Sequence, residues 1–392
     1  MPKLQENALA AYPITFRRNQ DKPMTRTTTN LGGTASNVVV GKVAHGLMMM
    51  THVSRPIPLA CLTGVPFRWT PDPVPDEQCF EAIKSGIDAL PPGAKMFLNG
   101  GEFYGHNMAT TNLEMIARFL EKYPEYVDRT FLSIKAMLIV SSPENLTRSV
   151  NLVNEKLRGT KRLDLYQCAR VDPNTPVEVS IAALAKLKSE GKLDHIGMSE
   201  CGAETLRRGH KVHPISVVEI EVSPFSYEPQ TRDGVLGCFA LPCDYSHTIV
   251  LVIAAAKELG VAVAAYSPLG RGFLTGQIKR PEDIPEGDIR RHLPRFQDDN
   301  LRHNFAIVDT LTELAKKKDI TPGQLSIAWV GSLGPHVIPL PGSSHAKRTL
   351  ENCAGGDVVF TETELQEIND VIEKADVKGS RYPEQHAKYL WA

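Results

Sequence analysis

Two kinds of segment take turns along most of this chain. Short runs rich in β-branched residues alternate with longer stretches in which apolar residues recur at helical spacing, and this alternation is typical of parallel strands joined by crossover helices. Eight such runs lie near Val38–Val43, Lys95–Asn99, Thr130–Lys135, Leu163–Cys168, His195–Ser199, Val217–Glu221, Val261–Tyr266 and Val337–Leu340. Eight repeats in order predict a (β/α)8 TIM barrel, whose active site lies at the carboxyl ends of the strands.

Helix starts are signalled locally by hydroxyl side chains that can accept hydrogen bonds from free backbone N–H groups. Capping boxes are predicted at Thr175-Pro176-Val177-Glu178, at Thr321-Pro322-Gly323-Gln324 and at Thr361 with Glu364, and Ser142-Pro143 predicts a further start. One apolar stripe, typical of a helix on a barrel wall, is formed by Phe305, Val308, Leu311 and Leu314.

The first 35 residues differ from the rest, because they carry basic and hydroxyl residues without a sustained apolar period. We expect residues 1–35 to be a mobile N-terminal tail and residues 36–392 to form one barrel domain. A transit peptide has a similar composition, although Glu6 and Asp21 count against that interpretation. Residues 51–75 and 224–247 exceed a minimal barrel, and we expect both to be long loops at its C-terminal rim.

Composition narrows the class of partner. Among 392 residues, 44 Lys and Arg nearly balance 45 Asp and Glu, so the net charge of −1 favours neither nucleic acid nor a membrane surface as a partner. No apolar run is long enough to span a membrane. Seven scattered cysteines favour free thiols in a reducing, cytoplasmic setting. Cys238, Cys243 and His247 are too few for a structural zinc site, so we expect no metal.

Candidate chemistry begins where the second and third predicted strands end. The segment Phe97 to Gly105 runs from a strand into a glycine-rich turn that carries Tyr104, and the next strand ends in Lys135. Both side chains would reach the same rim of a barrel. A buried cation beside a phenol stabilises the phenolate, so this pair is suited to donating a proton near neutral pH.

These residues belong to a set of motifs that resembles the aldo-keto reductases from about residue 38 to 375. The matching pieces are Glu102-Phe103-Tyr104-Gly105, Asp164-Leu165-Tyr166-Gln167 with Arg170-Val171-Asp172-Pro173, Ile196-Gly197-Met198-Ser199, Ala265 to Gly272, and Leu340-Pro341-Gly342-Ser343. The fungal pyridoxal reductases look most similar, both in Ser199-Glu200 and in Cys168-Ala169-Arg170.

The resemblance implies that Tyr104 is the general acid and that Lys135 tunes it. Asn99 stands where the family usually has Asp, and Ala169 where it usually has His. Asn99 can accept a hydrogen bond from Lys135 without neutralising it, so we expect a lowered pKa for Tyr104. Ala169 would leave room for water or a bulkier substrate. His45 and His106, on loops after the first two strands, could substitute for the missing histidine.

The resemblance also implies an NADPH site, and the absence of dinucleotide-fold glycine spacing excludes a Rossmann unit. Tyr266 would stack on the nicotinamide, with Ser199, Glu200 and Glu219 near its carboxamide. The pyrophosphate would be lined by Ser267, Leu269, Gly270 and Arg271. At the other end of the cofactor, Ser343 and Arg348 would hold the 2′-phosphate, and Glu351 and Asn352 would bind the adenine. Glu200 and Glu219 replace the usual amides, so they can accept from the carboxamide but cannot donate to it.

The sequence therefore predicts NADPH-dependent reduction of an aldehyde or ketone, with pyridoxal or another aromatic aldehyde as the preferred small-molecule substrate. Two alternatives stay open at this point. One is an NADPH-binding, redox-sensing regulatory subunit with little turnover. The other is a biosynthetic reductase acting on a larger carbonyl natural product.

Overall fold

Eight parallel strands form the barrel in the computed structural model, which describes residues 25–51, 74–136, 140–227, 245–284, 288–387 and 390–391. After the hairpin strands β1 (Thr28–Asn30) and β2 (Val39–Gly41) come the barrel strands β3 (His45–Gly46), β4 (Met96–Gly101), β5 (Thr130–Ala136), β6 (Leu165–Cys168), β7 (His195–Ser199), β8 (Val217–Glu221), β9 (Ala262–Tyr266) and β10 (Val337–Leu340). Each barrel strand pairs with its sequence neighbour, and a parallel bridge between Gly46 and Gly342 joins the last strand to the first. The predicted fold is confirmed.

The helices lie outside the strands and form a closed ring around them. They are α1 (Met48–Thr51), α2 (Asp76–Asp88), α3 (Thr111–Lys122), α4 (Pro143–Leu157), α5 (Val177–Ser189), α6 (Ala203–Val212), α7 (Tyr245–Leu259), α8 (Asp298–Lys317), α9 (Pro322–Ser332), α10 (Ala346–Gly355), α11 (Glu362–Lys374) and α12 (Glu384–Ala387). Helix α10 packs against α2, while α11 packs outside the ring on α8. The stripe predicted on α8 faces the core as expected.

The interior of the barrel changes from apolar to polar along its axis. Near the amino ends of the strands a buried cluster contains Phe97, Phe131, Leu165 and Val217. Side chains alternate along a strand, so the residue two positions on faces the same way. That step replaces the apolar layer with Asn99, Ser133, Gln167 and Glu219, all buried. The polar layer lies directly below the mouth where the candidate site was predicted.

An antiparallel hairpin closes the other end of the barrel, which corrects two predictions. Strand β1 pairs with β2, and Leu31 and Ala35 share the buried cluster inside the barrel. Residues 25–35 are therefore not part of a tail, while residues 1–24 lie outside the described residues. The run Val38–Val43 is the return strand of this hairpin, and the first barrel strand is the shorter β3.

A helix begins at each of the four predicted starts, and the predicted side-chain cap is confirmed at three of them. Thr321 and Thr361 form complete capping boxes, and the Ser142 hydroxyl accepts from the backbone N–H of Asn145. The box at Thr175 is wrong, because its hydroxyl donates to Asp172 Oδ2 over 2.8 Å and helix α5 begins without a side-chain cap.

The two predicted rim loops fall largely outside the described part of the chain, which omits residues 52–73 and 228–244. Cys238 and Cys243 lie in the second gap. Within the described residues, no helix combines the length and apolarity needed to cross a membrane.

Candidate active site

Tyr104 lies at the mouth of the barrel in a turn that follows β4 and is almost completely buried. Its ring lies against the backbone of Gly101, where an added Cβ would come within 2.8 Å of the Tyr104 Cγ atom. The turn is held from two sides, since Thr51 donates to the Tyr104 carbonyl over 2.7 Å and Asn112 accepts from the Gly101 N–H over 3.1 Å. Asn112 also donates to Thr51, so one buried amide fixes both supports.

Lys135, at the end of β5, lies beside the Tyr104 phenol, where its charge favours the phenolate, as predicted from the neighbouring strand ends. Its ammonium group forms a buried ion pair with Glu219 on β8. Asn99 does not bond Lys135 as we expected; its Nδ2 donates to Glu219 Oε2 over 2.8 Å. Glu219 thus belongs to the same buried cluster as Tyr104, Lys135 and Asn99, whereas the sequence predicted only a contact to nicotinamide.

Gln167 on β6 completes this cluster and was not predicted. Its Nε2 donates to the same Glu219 oxygen that Asn99 contacts. Gly197 on β7 stands between the two strands, and a Cβ there would lie 3.1 Å from Gln167 Oε1 and 2.8 Å from a Leu165 methyl carbon. The small residue on β7 therefore leaves the space through which Gln167 reaches β8. Gln167 could have been found from the sequence, because it lies two residues after the inward-facing Leu165 and therefore faces the barrel interior as well.

The pKa of Tyr104 is raised above its ordinary value, contrary to our expectation. Burial is the largest influence and disfavours the phenolate. The Lys135 charge and hydrogen bond lower the pKa, but Glu219 raises it again. Burial would lower the pKa of Lys135, yet Glu219 and Tyr104 raise it above its ordinary value, so the ammonium form is favoured.

The position of the missing histidine is occupied by a small buried side chain. Ala169 follows β6 and is buried, two residues after Gln167. His45 cannot substitute, because it is buried in β3, its Nε2 bonds the Ser343 carbonyl over 2.8 Å, and burial lowers its pKa to about 4. His106 lies partly exposed in a short helical turn two residues after Tyr104.

Tyr266 ends β9 beside the cluster of Tyr104, Lys135 and Glu219. The Lys135 ammonium lies 5.2 Å from the centre of its ring, and its hydroxyl donates to Glu200 Oε1 over 2.7 Å. Glu200 follows β7 with a φ of +52°, a left-handed conformation that turns the chain at the mouth. The neighbouring Ser199 hydroxyl is buried and has no hydrogen-bond partner among the described residues.

A C-terminal segment that carries Arg381 and Tyr382, and for which no role was predicted, packs over this part of the mouth. Arg381 bonds both Glu200 and Glu221. Glu221 also accepts from Arg271 over 3.1 Å, and the Arg271 guanidinium lies 4.5 Å from the ring centre of Tyr382. Arg271 is therefore committed to these contacts, and a role at the pyrophosphate requires it to leave Glu221.

The electrostatics of this cluster favour charged groups. Burial alone would raise the pKa of Glu221, but the guanidinium groups of Arg271, Arg381 and Arg295 lower it to about 2. The Nη1 atom of Arg381 is buried without a hydrogen-bond partner in the described part of the chain.

The turn after β9 meets the last barrel helices. Ser267, Gly270 and Arg271 all have positive φ, so the chain folds back on itself. Leu269 from this turn and Glu351 from α10 both lie beside Gly323 at the start of α9, where an added Cβ would come within 3.6 Å and 4.0 Å of their side chains. One residue predicted for the pyrophosphate and one predicted for the adenine thus both border the start of α9.

The predicted phosphate residues lie after β10. Ser343 is buried, and its hydroxyl donates to the His345 carbonyl over 3.0 Å. Arg348 is exposed in the first turn of α10, and Asn352 is buried one turn further on. The free N–H groups of a helix start and a guanidinium both favour a phosphate group.

The residues at the mouth fit a nicotinamide dinucleotide. Two buried polar atoms there, Ser199 Oγ and Arg381 Nη1, have no hydrogen-bond partner among the described residues, as expected where a polar ligand binds. Within the same residues, no three His, Cys, Asp or Glu side chains come together in a way that could hold a metal ion.

Comparisons with known proteins identify the family. A sequence model described as the aldo/keto reductase family matches residues 64–373. The aldo-keto reductase str7 of Strobilurus tenacellus is 34% identical over 301 residues, which is 75% of this chain and 82% of that protein. The chain belongs to the aldo/keto reductase family, and it is an oxidoreductase that uses a nicotinamide cofactor.

Two Schizosaccharomyces pombe proteins are also similar. The aldo-keto reductase yakc [NADP(+)] is 37% identical over 243 residues, covering 62% of this chain and 66% of that protein. A probable pyridoxal reductase 2 is 31% identical over 328 residues, covering 81% and 92%. The resemblance inferred from the motifs is therefore confirmed.

Solved structures show the same fold at low identity. A glycerol dehydrogenase from Gluconobacter oxydans superposes with a TM-score of 0.67 at 20% identity, covering 90% of this chain and 97% of that chain. A thermostable aldo-keto reductase in complex with the inhibitor epalrestat gives a TM-score of 0.62 at 20% identity, covering 88% and 100%.

Proposed function

We propose that the protein reduces an aldehyde or ketone to an alcohol with NADPH, and that Tyr104 donates the proton. The observation that carries this proposal is the buried phenol of Tyr104 beside the buried, ion-paired ammonium of Lys135 at the barrel mouth. A reduced nicotinamide, when bound, supplies a hydride to the carbonyl carbon.

The side chains of this chain account for the proton. Tyr104 gives its hydroxyl proton to the carbonyl oxygen, and the charge that forms on the phenolate is stabilised by Lys135. Burial keeps water from competing for that proton. The residues predicted at the nicotinamide, with Tyr266 and Ser199 foremost, would hold the ring at the same mouth.

NADPH is proposed over NADH because of the residues after β10. Arg348 is exposed in the first turn of α10 and has no ion pair within the described residues, so its guanidinium is available to a 2′-phosphate. The similar yeast protein yakc carries NADP(+) in its name, which supports the same choice.

An aromatic aldehyde such as pyridoxal is the proposed substrate. The half-buried Phe103 ring lies edge-on to the Tyr104 ring at 5.1 Å between centres, so an apolar aromatic surface adjoins the proton donor. The name of the similar probable pyridoxal reductase 2 points to the same substrate. The small Ala169, where the family usually has His, favours the second candidate, a larger carbonyl natural product, because an alanine occupies less volume than an imidazole.

We also propose a cytoplasmic location. Cys79, Cys168, Cys201 and Cys353 are free thiols, which supports a reducing compartment.

The test is NADPH oxidation by purified protein with pyridoxal, nitrobenzaldehyde and diketones, and NADPH binding by fluorescence titration. We expect turnover in wild type and a loss of roughly 10²-fold or more in Tyr104→Phe, with NADPH affinity nearly unchanged. The matched control is Tyr126→Phe, which removes a hydroxyl bonded to Asp88 and should keep its rate. Binding of NADPH without oxidation by any carbonyl would instead support the regulatory subunit.

A further inference from the structure

The carboxylate that balances Lys135 comes from the opposite side of the barrel. Lys135 is on β5, and Glu219, on β8, is three strands away in the barrel order. Both side chains are buried, with exposed fractions of 9% and 1%. A buried ammonium group without a nearby negative charge is strongly unfavourable, so this pair determines whether Lys135 stays charged.

No other described carboxylate near the mouth is free to balance Lys135. Glu221 pairs with Arg271 and Arg381, and Glu200 pairs with Arg381. Glu102 accepts a hydrogen bond from Ser149 and an ion pair from Arg148.

The three groups that contact the Glu219 carboxylate all donate to it. Lys135 bonds Oε1, while the amide groups of Asn99 and Gln167 both bond Oε2. Two amides from β4 and β6 thus hold the carboxylate toward β5. This arrangement requires an uncharged donor at position 99, because a carboxylate there would face Glu219 at hydrogen-bond distance.

We propose that Glu219 is the positioning residue for proton donation: its carboxylate holds the Lys135 ammonium at the Tyr104 hydroxyl, with Asn99 and Gln167 as its supports. Glu219 does not touch the substrate and acts through Lys135. This inference rests on the proposed carbonyl reduction. The proposal explains Asn99 as one half of an exchange relative to the family pattern. The family usually has Asp at position 99 on β4 and an amide at position 219 on β8, whereas this chain has the amide on β4 and the carboxylate on β8.

The exchange can be reversed by two substitutions. Glu219→Gln removes the only ion-pair partner of Lys135 among the described residues. Asn99→Asp places two carboxylates against each other. The combination Asn99→Asp/Glu219→Gln returns to one carboxylate and one amide with their strands exchanged.

The first measurement is single-turnover reduction of one small aromatic aldehyde against pH at saturating NADPH. In Glu219→Gln the Tyr104 and Lys135 pair has lost a negative neighbour, so the pair gives up its first proton at lower pH. We expect a rate loss of roughly tenfold to a hundredfold and an alkaline limb that moves to lower pH. The double variant should regain most of the rate, and its alkaline limb should move back toward the wild-type pH.

The second measurement does not depend on turnover. Denaturant unfolding of the cofactor-free proteins should show a lower midpoint for each single variant and recovery in the double variant. Glu102→Gln is the matched control, since it removes a buried carboxylate that is bonded to Ser149 and paired with Arg148; its alkaline limb should coincide with that of wild type.

The outcomes separate the two proposals. A wild-type protein that reduces no carbonyl refutes the proposed function, while the unfolding midpoints still report on the exchange. The positioning role is overturned if the alkaline limb of Glu219→Gln lies at the same pH as that of wild type. It is also overturned if the double variant shows no recovery over Glu219→Gln in either the pH–rate profile or the unfolding midpoint. Recovered midpoints without a recovered rate or limb also overturn it, because the pair would then be structural only.

Discussion

Arg381 donates through Nη2 to both carboxylate oxygens of Glu200, each over 3.1 Å. Its Nε donates to Glu221 over 3.0 Å, so one side chain connects the ends of β7 and β8. The backbone N–H of Trp391 bonds the Glu200 carbonyl over 2.9 Å. The C-terminal segment therefore completes the mouth of the barrel next to Tyr266.

Removing this guanidinium should destabilise the protein. Arg381→Met leaves Glu200 and Glu221 buried with too little positive charge, and breaking a buried ion pair in this way costs about 3–5 kcal/mol. We expect a loss of that size in the free energy of unfolding measured with urea. Arg348→Met removes an exposed arginine and should change the same quantity by less than about 0.5 kcal/mol. Equal losses would show that Arg381 has no special structural role.

The pH profile of wild type follows from the environment of Tyr104. Burial and Glu219 raise its pKa despite Lys135, so the acid form persists above the ordinary phenol value of about 10. Because reduction requires the protonated phenol, kcat/KM measured under pre-steady-state conditions should remain level up to a pH of about 10 and fall only beyond it. Tyr126→Phe should give a superimposable profile. A fall well below pH 10 would contradict the raised pKa, provided that intrinsic fluorescence shows the protein still folded.

The barrel could be predicted because most of its strands are β-branched runs bounded by helix signals. The first strand could not, since β3 has only two residues, His45 and Gly46, and neither is typical of a strand. The preceding Val38–Val43 run carries the stronger pattern. The sequence signal for the hairpin was the glycine pair in Leu31-Gly32-Gly33. An added Cβ on Gly32 would lie 2.2 Å from the Gly260 carbonyl oxygen, so only glycine lets the hairpin pass this close beneath the barrel.

The candidate site was predictable only where its residues follow one another along neighbouring strands. Tyr104 and Lys135 satisfy that condition. Glu219 lies 84 residues after Lys135, and which strand supplies the counterion depends on side-chain reach across the barrel. The expectation of a lowered pKa for Tyr104 was wrong because burial, the largest influence, and this counterion both raise it. Arg381, in a polar stretch without periodicity, gave no local signal at all.

Arg348 should determine the choice between NADPH and NADH. A guanidinium paired with the 2′-phosphate is worth a few kcal/mol, so wild type should bind NADPH roughly a hundredfold more tightly. Arg348→Gln should raise the dissociation constant of NADPH and leave that of NADH nearly unchanged in fluorescence titrations. Lys347→Gln, an exposed cation on the same helix, is the matched control and should keep the preference. Equal affinities of wild type for the two cofactors would remove Arg348 from the site.

Ala169 should set the size of carbonyl that the site accepts. Its side chain is buried beyond the end of β6, and the strand alternation places it above Gln167, on the side that faces the barrel axis. Ala169→His puts a larger side chain at this position, and its imidazole can donate a hydrogen bond to a carbonyl oxygen. We expect kcat/KM for a small, unhindered aldehyde to rise by roughly tenfold and that for a bulky one to fall.

Ala169→Leu separates the two effects of the histidine, because leucine fills the space without a polar group. It should exclude the bulky aldehyde as Ala169→His does, and it should not help the small one. The measurement is kcat/KM for a matched pair of aromatic aldehydes that differ only in substituents next to the carbonyl, with NADPH saturating. If both variants treat the two aldehydes as wild type does, the space beside Ala169 does not receive the substrate, and the small residue there has a packing role alone.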